Sequence, residues 1–252
     1  MLKATKHSQA MLFPSEVVTL ALLFALKGRG KRAFYRWLEN NWLHFFLSLP
    51  YRTRLFRWFN THRFWVEQFM ANPSLIGVID SYGIELIHPR REGPSAKQTS
   101  KKGLSNQRWI VGGKLCLLLN HLGLVVGWDV DTANVYDGSA FQNLVEAVAE
   151  GMLVFADPHF AKSGWHPPNL KICAKGTWND NMMIETVLSI LTVVCHFKKV
   201  GHRVWDYFKS RVGYTVALFN ILVQCMVYGL PTMGSFIYQL PNSVYKLPPK
   251  VI

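Results

Sequence analysis

The chain has 252 residues, half of them hydrophobic, so a substantial core can form in one large domain or two modest ones. Twenty-eight Lys/Arg against 15 Asp/Glu give a formal net charge of +13, an excess that points to a polyanionic partner, most often nucleic acid. Cys116, Cys173, Cys195 and Cys225 form no C-x-x-C pair and no histidine pair has zinc spacing, which excludes a zinc ribbon or finger and reads as reduced core thiols of a cytoplasmic protein.

The first zone, to about residue 72, carries eleven Lys/Arg against three acids. A helix is expected after Pro14, with Ser15 as its cap and Glu16 in its first turn, ending at "GRGKR". A second helix follows from Ala33 to about Phe46, and a third from Thr53 to Met70. In that segment Arg52, Arg54, Arg57 and Arg63 are interleaved with Phe56, Trp58, Phe59 and Trp65. That interleaving suits a helix with one face packed and another on phosphate, or equally an amphipathic helix with solvated arginines.

The second zone opens on "SLIGVIDSYGIEL", a short β-branched run that reads as a buried strand. A polar loop from Pro89 to Gln107 follows, with Arg90, Arg91, Lys101 and Lys102 available to grip a DNA backbone. Two strands, Trp109 to Leu119 and Leu122 to Asp131, form a hairpin at "NHLG". A helix over Ser139 to Glu150, a strand over Met152 to Ala156, another over Asn169 to Ala174, and helices over Asp180 to His196 and Arg203 to Tyr228 complete the pattern. Alternation of this kind marks an α/β domain with a mixed sheet. Val212 to Leu230 approaches the length of a membrane span, about 20 residues. Asn220 and Gln224 interrupt it, and a buried helix is the favoured reading. The stretch from Pro231 onward is rich in Pro, Tyr and Ser and reads as weakly structured.

Three carboxylates stand out. Asp80 ends "LIGVID", Asp157 ends "MLVFAD", and Glu185 lies on a helix in "NMMIETVLSIL". If the two strands are neighbours and the helix crosses them, the three acids converge. Hard carboxylate oxygens suit Mg²⁺, and two such ions about 3.5–4 Å apart activate a nucleophile and stabilise the leaving oxygen of a phosphodiester. Each acid alone is as well explained as a turn residue or a cap. Asp129, Asp131 and Asp137 are read as turn or capping groups, and His159 as packing or hydrogen bonding.

Taken in order, these pieces resemble a family. "SEVVTLALLFALKGRGKRAFYRWL", "GVIDSYGIEL", "GGKLCLLLNHLGLVVGWDVDTANVYDGSAFQNLV", "VFADPHF" and "GTWNDNMMIETVLSILTVVCHFKK" are similar to segments of DDE-type transposases of bacterial insertion sequences. The resemblance implies a ribonuclease H-like mixed sheet flanked by helices (73–228), a small helical DNA-binding region before it (1–72) and a C-terminal tail (229–252). It implies Asp80, Asp157 and Glu185 as catalytic and metal-holding residues, with two Mg²⁺ ions for which Mn²⁺ can substitute. The implied partner is double-stranded DNA, both terminal inverted repeats and target, held by a homodimer. No membrane is involved, and the setting is the cytoplasm, at the nucleoid when on DNA.

Many relatives place Tyr, Arg and Lys or Arg at fixed offsets about the glutamate; Trp178, Asn181 and Thr192 stand there instead. Trp178 can still stack on a base or sugar, and Lys198 and Lys199 can substitute for the missing charge. After "FNILVQ" the family signature stops, which suggests a frameshifted or truncated copy. Two alternatives stay open: a catalytically impaired DNA-binding derivative, and a ribonuclease H-like nuclease that only hydrolyses DNA.

Overall fold

The computed structural model of the chain describes residues 10–46, 48–88, 101–105, 108–149, 151–163, 166–173, 181–193, 197 and 204–227. Arg90, Arg91, Trp178, Lys198, Lys199 and the C-terminal tail lie outside the described residues.

Three helices come first: α1 (Pro14–Lys27), α2 (Lys31–Asn41) and α3 (Arg52–Thr61). Ser15 is not the cap of α1. The helix starts two residues earlier, with Phe13 at the cap, because proline is pre-shaped for its first position, and Glu16 reaches back to accept the Phe13 N–H at 2.6 Å. Gly28 ends the helix in the left-handed region (φ 60°), within the expected breaker. The expected long third helix is two pieces. α3 stops at His62, whose N–H bonds to the Trp58 carbonyl, and a 3-10 helix, Arg63–Phe69, turns Val66 into the core. α2 also ends earlier than expected, at Asn41.

The sheet has six strands: β1 (Ile76–Ile87), β2 (Lys101–Ser105), β3 (Arg108–Asn120), β4 (Val125–Thr132), β5 (Leu153–Ala156) and β6 (Leu170–Ile172). β2 occupies part of what the sequence reads as a polar loop. "KKGLS" shows no apolar alternation; it is a strand because its backbone pairs with Arg108–Gly112 of β3. β1 runs antiparallel to β3, β3 to β4, and β1, β5 and β6 are parallel, giving the order β4–β3–β1–β5–β6 with β2 extending β3. That order, with helices on both faces, is the ribonuclease H-like α/β arrangement.

Short α4 (Asp137–Ala140) and α5 (Gln142–Val148) replace the single helix expected after the hairpin; the chain breaks at buried Phe141. α6 (Asn181–Val193) and α7 (Trp205–Val227) follow. One core lies between α5 and the sheet and holds Ile79, Cys116, Val145, Ala156 and Phe160. The other lies on the opposite face and runs without interruption from Leu115 and Val130 through α7 into the N-terminal helices. There Phe24 meets Phe34 and Phe56 at ring distances of 5.0 and 4.9 Å, and the Arg211 guanidinium of α7 sits 4.1 Å over Phe24.

Among the described residues no helix is long and apolar enough to cross a membrane. Asn220, the polar residue that interrupts the apolar run of α7, is 1 % exposed and fully used. Its amide accepts the Val125 N–H (2.8 Å) and donates to the carbonyls of Val125 (2.7 Å) and Phe69 (2.9 Å). One side chain thus joins α7 to the end of β4 and to the 3-10 helix. Asn220→Leu leaves a buried donor and two acceptors without this partner, so denaturant titration should show a loss of about 2–4 kcal/mol.

Candidate active site

Asp80 is not at a strand end. β1 continues past it to Ile87, with Asp80 opposite Leu117 of β3. What ends near Asp80 is the pairing on its other edge. β1 and β5 match Ile76 with Leu153 through Ile79 with Ala156, and the next residue on each strand is Asp80 and Asp157. Ile79 and Ala156 point into the α5-side core. By strand alternation Asp80 points to the opposite face, where α6 lies. Asp157 follows directly on the neighbouring strand.

Asp157 also starts the 3-10 turn Pro158–Ser163. Its carboxylate accepts the His159 N–H at 2.9 Å and its carbonyl accepts the Phe160 N–H at 3.1 Å. His159 is exposed, and both its charge and its backbone N–H act on the Asp157 carboxylate. Glu185 is exposed near the start of α6. That helix rests on β1 and buries Val187 and Leu191 in the core shared with Ile84 and Leu115.

The electrostatics tie the three acids together. Burial pushes the Asp80 carboxyl up to about 7; the Ser81 N–H, 2.7 Å away, opposes the shift, and the charges of Asp157, Asp137 and Glu185 add to it. Asp157 is also raised, first by burial, with the His159 charge and N–H opposing and Asp137 contributing. Among the described residues no three His, Cys, Asp or Glu side chains stand close enough to hold a metal ion. Asp80 and Asp157 each follow the last paired residues of neighbouring strands, and Glu185 on α6 is near enough for its charge to act on Asp80.

The Asp80 shift has a testable sign. The folded state keeps a proton that the unfolded chain has released, so metal-free stability falls as pH rises between the ordinary value of 3.8 and about 7. Melting temperatures in EDTA should decline over that window, and Asp80→Asn should flatten the decline.

Of the three aspartates expected as turn or capping groups, two lie within a strand and one opens a helix. Asp129 and Asp131 lie on β4, and Asp129 pairs with Lys209 at 3.2 Å. Asp137 is the first residue of α4 and pairs with Lys114 of β3 at 2.8 Å. Lys114 had a signal in the sequence: a cation inside the apolar run "GGKLCLLLN" needs a partner if that run is buried.

The basic residues separate into groups. Arg52 and Arg54, on the first turn of α3, line a cavity of about 690 Å³ with Arg32 and Arg36 of α2. Tyr35 and Tyr51 flank them, and Glu39 is the acid among them. The cavity belongs to the N-terminal helices and not to the carboxylates. Arg57 is exposed on α3. Arg63 pairs with Asp206 of α7 at 3.3 Å. Lys101 and Lys102 are exposed on β2, Lys102 lying 5.4 Å from the centre of the Trp109 ring.

The ribonuclease H-like sheet thus carries Asp80 within β1 and Asp157 as the residue directly after the neighbouring parallel strand β5. Residues 71–170 match the family model described as "Transposase DDE domain". The match runs from the approach to β1 to the first residue of β6, so it contains Asp80 and Asp157 and stops short of Glu185. No significant match was found among curated proteins or among solved structures.

Proposed function

We propose that the chain is an insertion-sequence transposase that cuts DNA at element ends and joins them to target DNA, with Asp80, Asp157 and Glu185 as its acidic residues. The DDE domain supports transposase activity in general. The adjacency of Asp80 and Asp157 carries the finer reading. Two carboxylates held together on the rim of a buried sheet repel one another unless a cation or a proton intervenes. Their oxygens are the hard donors that Mg²⁺ and Mn²⁺ prefer, and Glu185 on α6 is near enough for its charge to act on Asp80.

When bound there, divalent ions supply Lewis-acid stabilisation of the phosphate and lower the pKa of the attacking water or 3′-hydroxyl. The rest of the work falls to the protein. β1 and β5 fix the aspartate backbones. The His159 N–H orients the Asp157 carboxylate. Exposed Lys101 and Lys102 of β2, and the four arginines of the N-terminal cavity, offer cations to the DNA backbone. Homodimer formation on paired ends belongs to the same proposal.

The experiment uses a linear duplex carrying the DNA that flanks the coding sequence, with Mg²⁺ and a second duplex as target. Nicking followed by joining to the target supports transposition. Nicking alone leaves the hydrolytic reading, and binding without nicking leaves the impaired derivative. Thr192 favours that last reading locally, since it supplies no cation and its hydroxyl bonds back to the Ser189 carbonyl of its own helix.

A further inference from the structure

The segment between β4 and α5 is built against the segment that carries Asp157. Lys114 stands on β3, facing the α5 side of the sheet, with Gly83 and Asp131 as its register partners. Its ammonium contacts the Asp137 carboxylate at 2.8 Å and donates to the Val135 carbonyl at 2.9 Å. The two side chains are 12 % and 15 % exposed, so this pair is largely shielded from water and loss of either partner strands a charge. Asp137 opens α4, and its two chain neighbours reach the other way. The Tyr136 hydroxyl donates to the His159 carbonyl. Gly138 lies so close to the turn that a Cβ there would stand 2.6 Å from the Phe160 carbonyl oxygen. Tyr136, Asp137 and Gly138 therefore join β3 to the 3-10 turn whose first hydrogen bonds are made by Asp157 itself. Displacing His159 or Phe160 displaces the Asp157 carboxylate.

We infer that Lys114, Asp137 and Gly138 are positioning residues for Asp157: the ion pair ties α4 to the sheet, and the missing side chain at Gly138 lets the turn after Asp157 seat against α4. The inference rests on the reading of Asp157 as a metal-holding carboxylate. Asp137 has a further effect, because its charge reaches both Asp80 and Asp157 while Lys114 offsets it at contact distance.

The test uses the full chain and four variants: Asp137→Asn, Gly138→Ala, Lys114→Met and Lys114→Arg. The first readout is the rise in melting temperature of the DNA-free chain on adding Mn²⁺ or Mg²⁺. The second is the Mg²⁺ concentration for half-maximal nicking of the flanking duplex. Duplex binding is measured alongside. Asp137→Asn, Gly138→Ala and Lys114→Met should lose most of the metal-induced rise and need about 10-fold or more Mg²⁺, while binding the duplex within about two-fold of wild type. Lys114→Arg, which keeps the ion pair, should recover most of what Lys114→Met loses.

An unchanged metal response in Asp137→Asn and Gly138→Ala overturns the inference. So does a loss that merely tracks lower metal-free stability and vanishes on cooling, and so does a wild-type chain that neither metal stabilises. A wild-type chain that responds to metal but leaves the flanking duplex intact removes the transposase reading and leaves the positioning role standing on the metal response.

Discussion

Asp157→Asn should reduce Mg²⁺-dependent nicking of the flanking duplex by on the order of 10³-fold or more while leaving duplex binding close to wild type. Asparagine is the informative replacement because of what Asp157 does locally. Its Oδ1 accepts the His159 N–H that opens the 3-10 turn, and an amide oxygen accepts the same bond. The turn, the seating of buried Phe160 and the docking of α4 are therefore kept. What disappears is one negative charge beside Asp80. That charge helps to hold the Asp80 carboxyl up, so its removal should let Asp80 ionise at lower pH. The metal-free variant should be as stable as wild type at neutral pH, or more so, and should gain less from added Mg²⁺. Loss of nicking together with loss of stability would instead mark Asp157 as a capping residue. Wild-type nicking rates in the variant would remove Asp157 from the reaction altogether. Asp157→Ala removes both the charge and the cap, and comparison of the two variants separates those roles.

The sequence makes the fold legible where one physical signal dominates. β5 and β6 are short apolar runs with clear breaks, and β3 and β4 flank a turn in which Gly123 takes φ 72°; both pairs fall within a few residues of expectation. α7 is recognisable as buried because Asn220 needs partners that a membrane interior does not offer. Apart from the start of α1, which Pro14 decides locally, the failures share a cause: each depends on a neighbour distant in sequence. β2 is polar and is a strand only through its pairing with β3. The end of α3 and the break at Phe141 answer to packing against α7 and against the 3-10 turn.

The site shows the same limit. That Asp80 and Asp157 fall on or directly after neighbouring strands matches the expected order, whereas the position of Asp80 in mid-strand could not be read, because β1 has two edges and only the pairing with β5 stops there. Asp137 reads locally as a turn or capping group because nothing near it in sequence shows that Lys114 of β3 is its partner. The arginines of α3 were legible as basic; that two of them share a cavity with Arg32 and Arg36 follows from the way α2 and α3 pack.

That cavity leads to the second large effect. Arg36→Ala combined with Arg52→Ala should weaken duplex binding by about 10–100-fold at low salt, and the slope of log affinity against log salt should fall by about 2, one unit for each phosphate that is no longer neutralised. The weakening should be nearly the same for any duplex sequence, since cations on phosphate position DNA without reading it. The geometry favours this pair because Arg32, Arg36, Arg52 and Arg54 converge on one concavity with Glu39 as the acid lining it. Cations so arranged repel one another in the free chain, and a polyanion relieves that repulsion on binding. Arg63 is the internal comparison. It already pairs with Asp206 on α7, so Arg63→Ala should change the slope less than either cavity arginine does. Nicking should fall in the double variant only through binding, and saturating DNA should restore it, because Asp80 and Asp157 lie on the sheet and not in this cavity. If the salt slope is unchanged, the arginines serve the packing of α2 on α3, and the basic charge that meets DNA must be sought on β2, at Lys101 and Lys102.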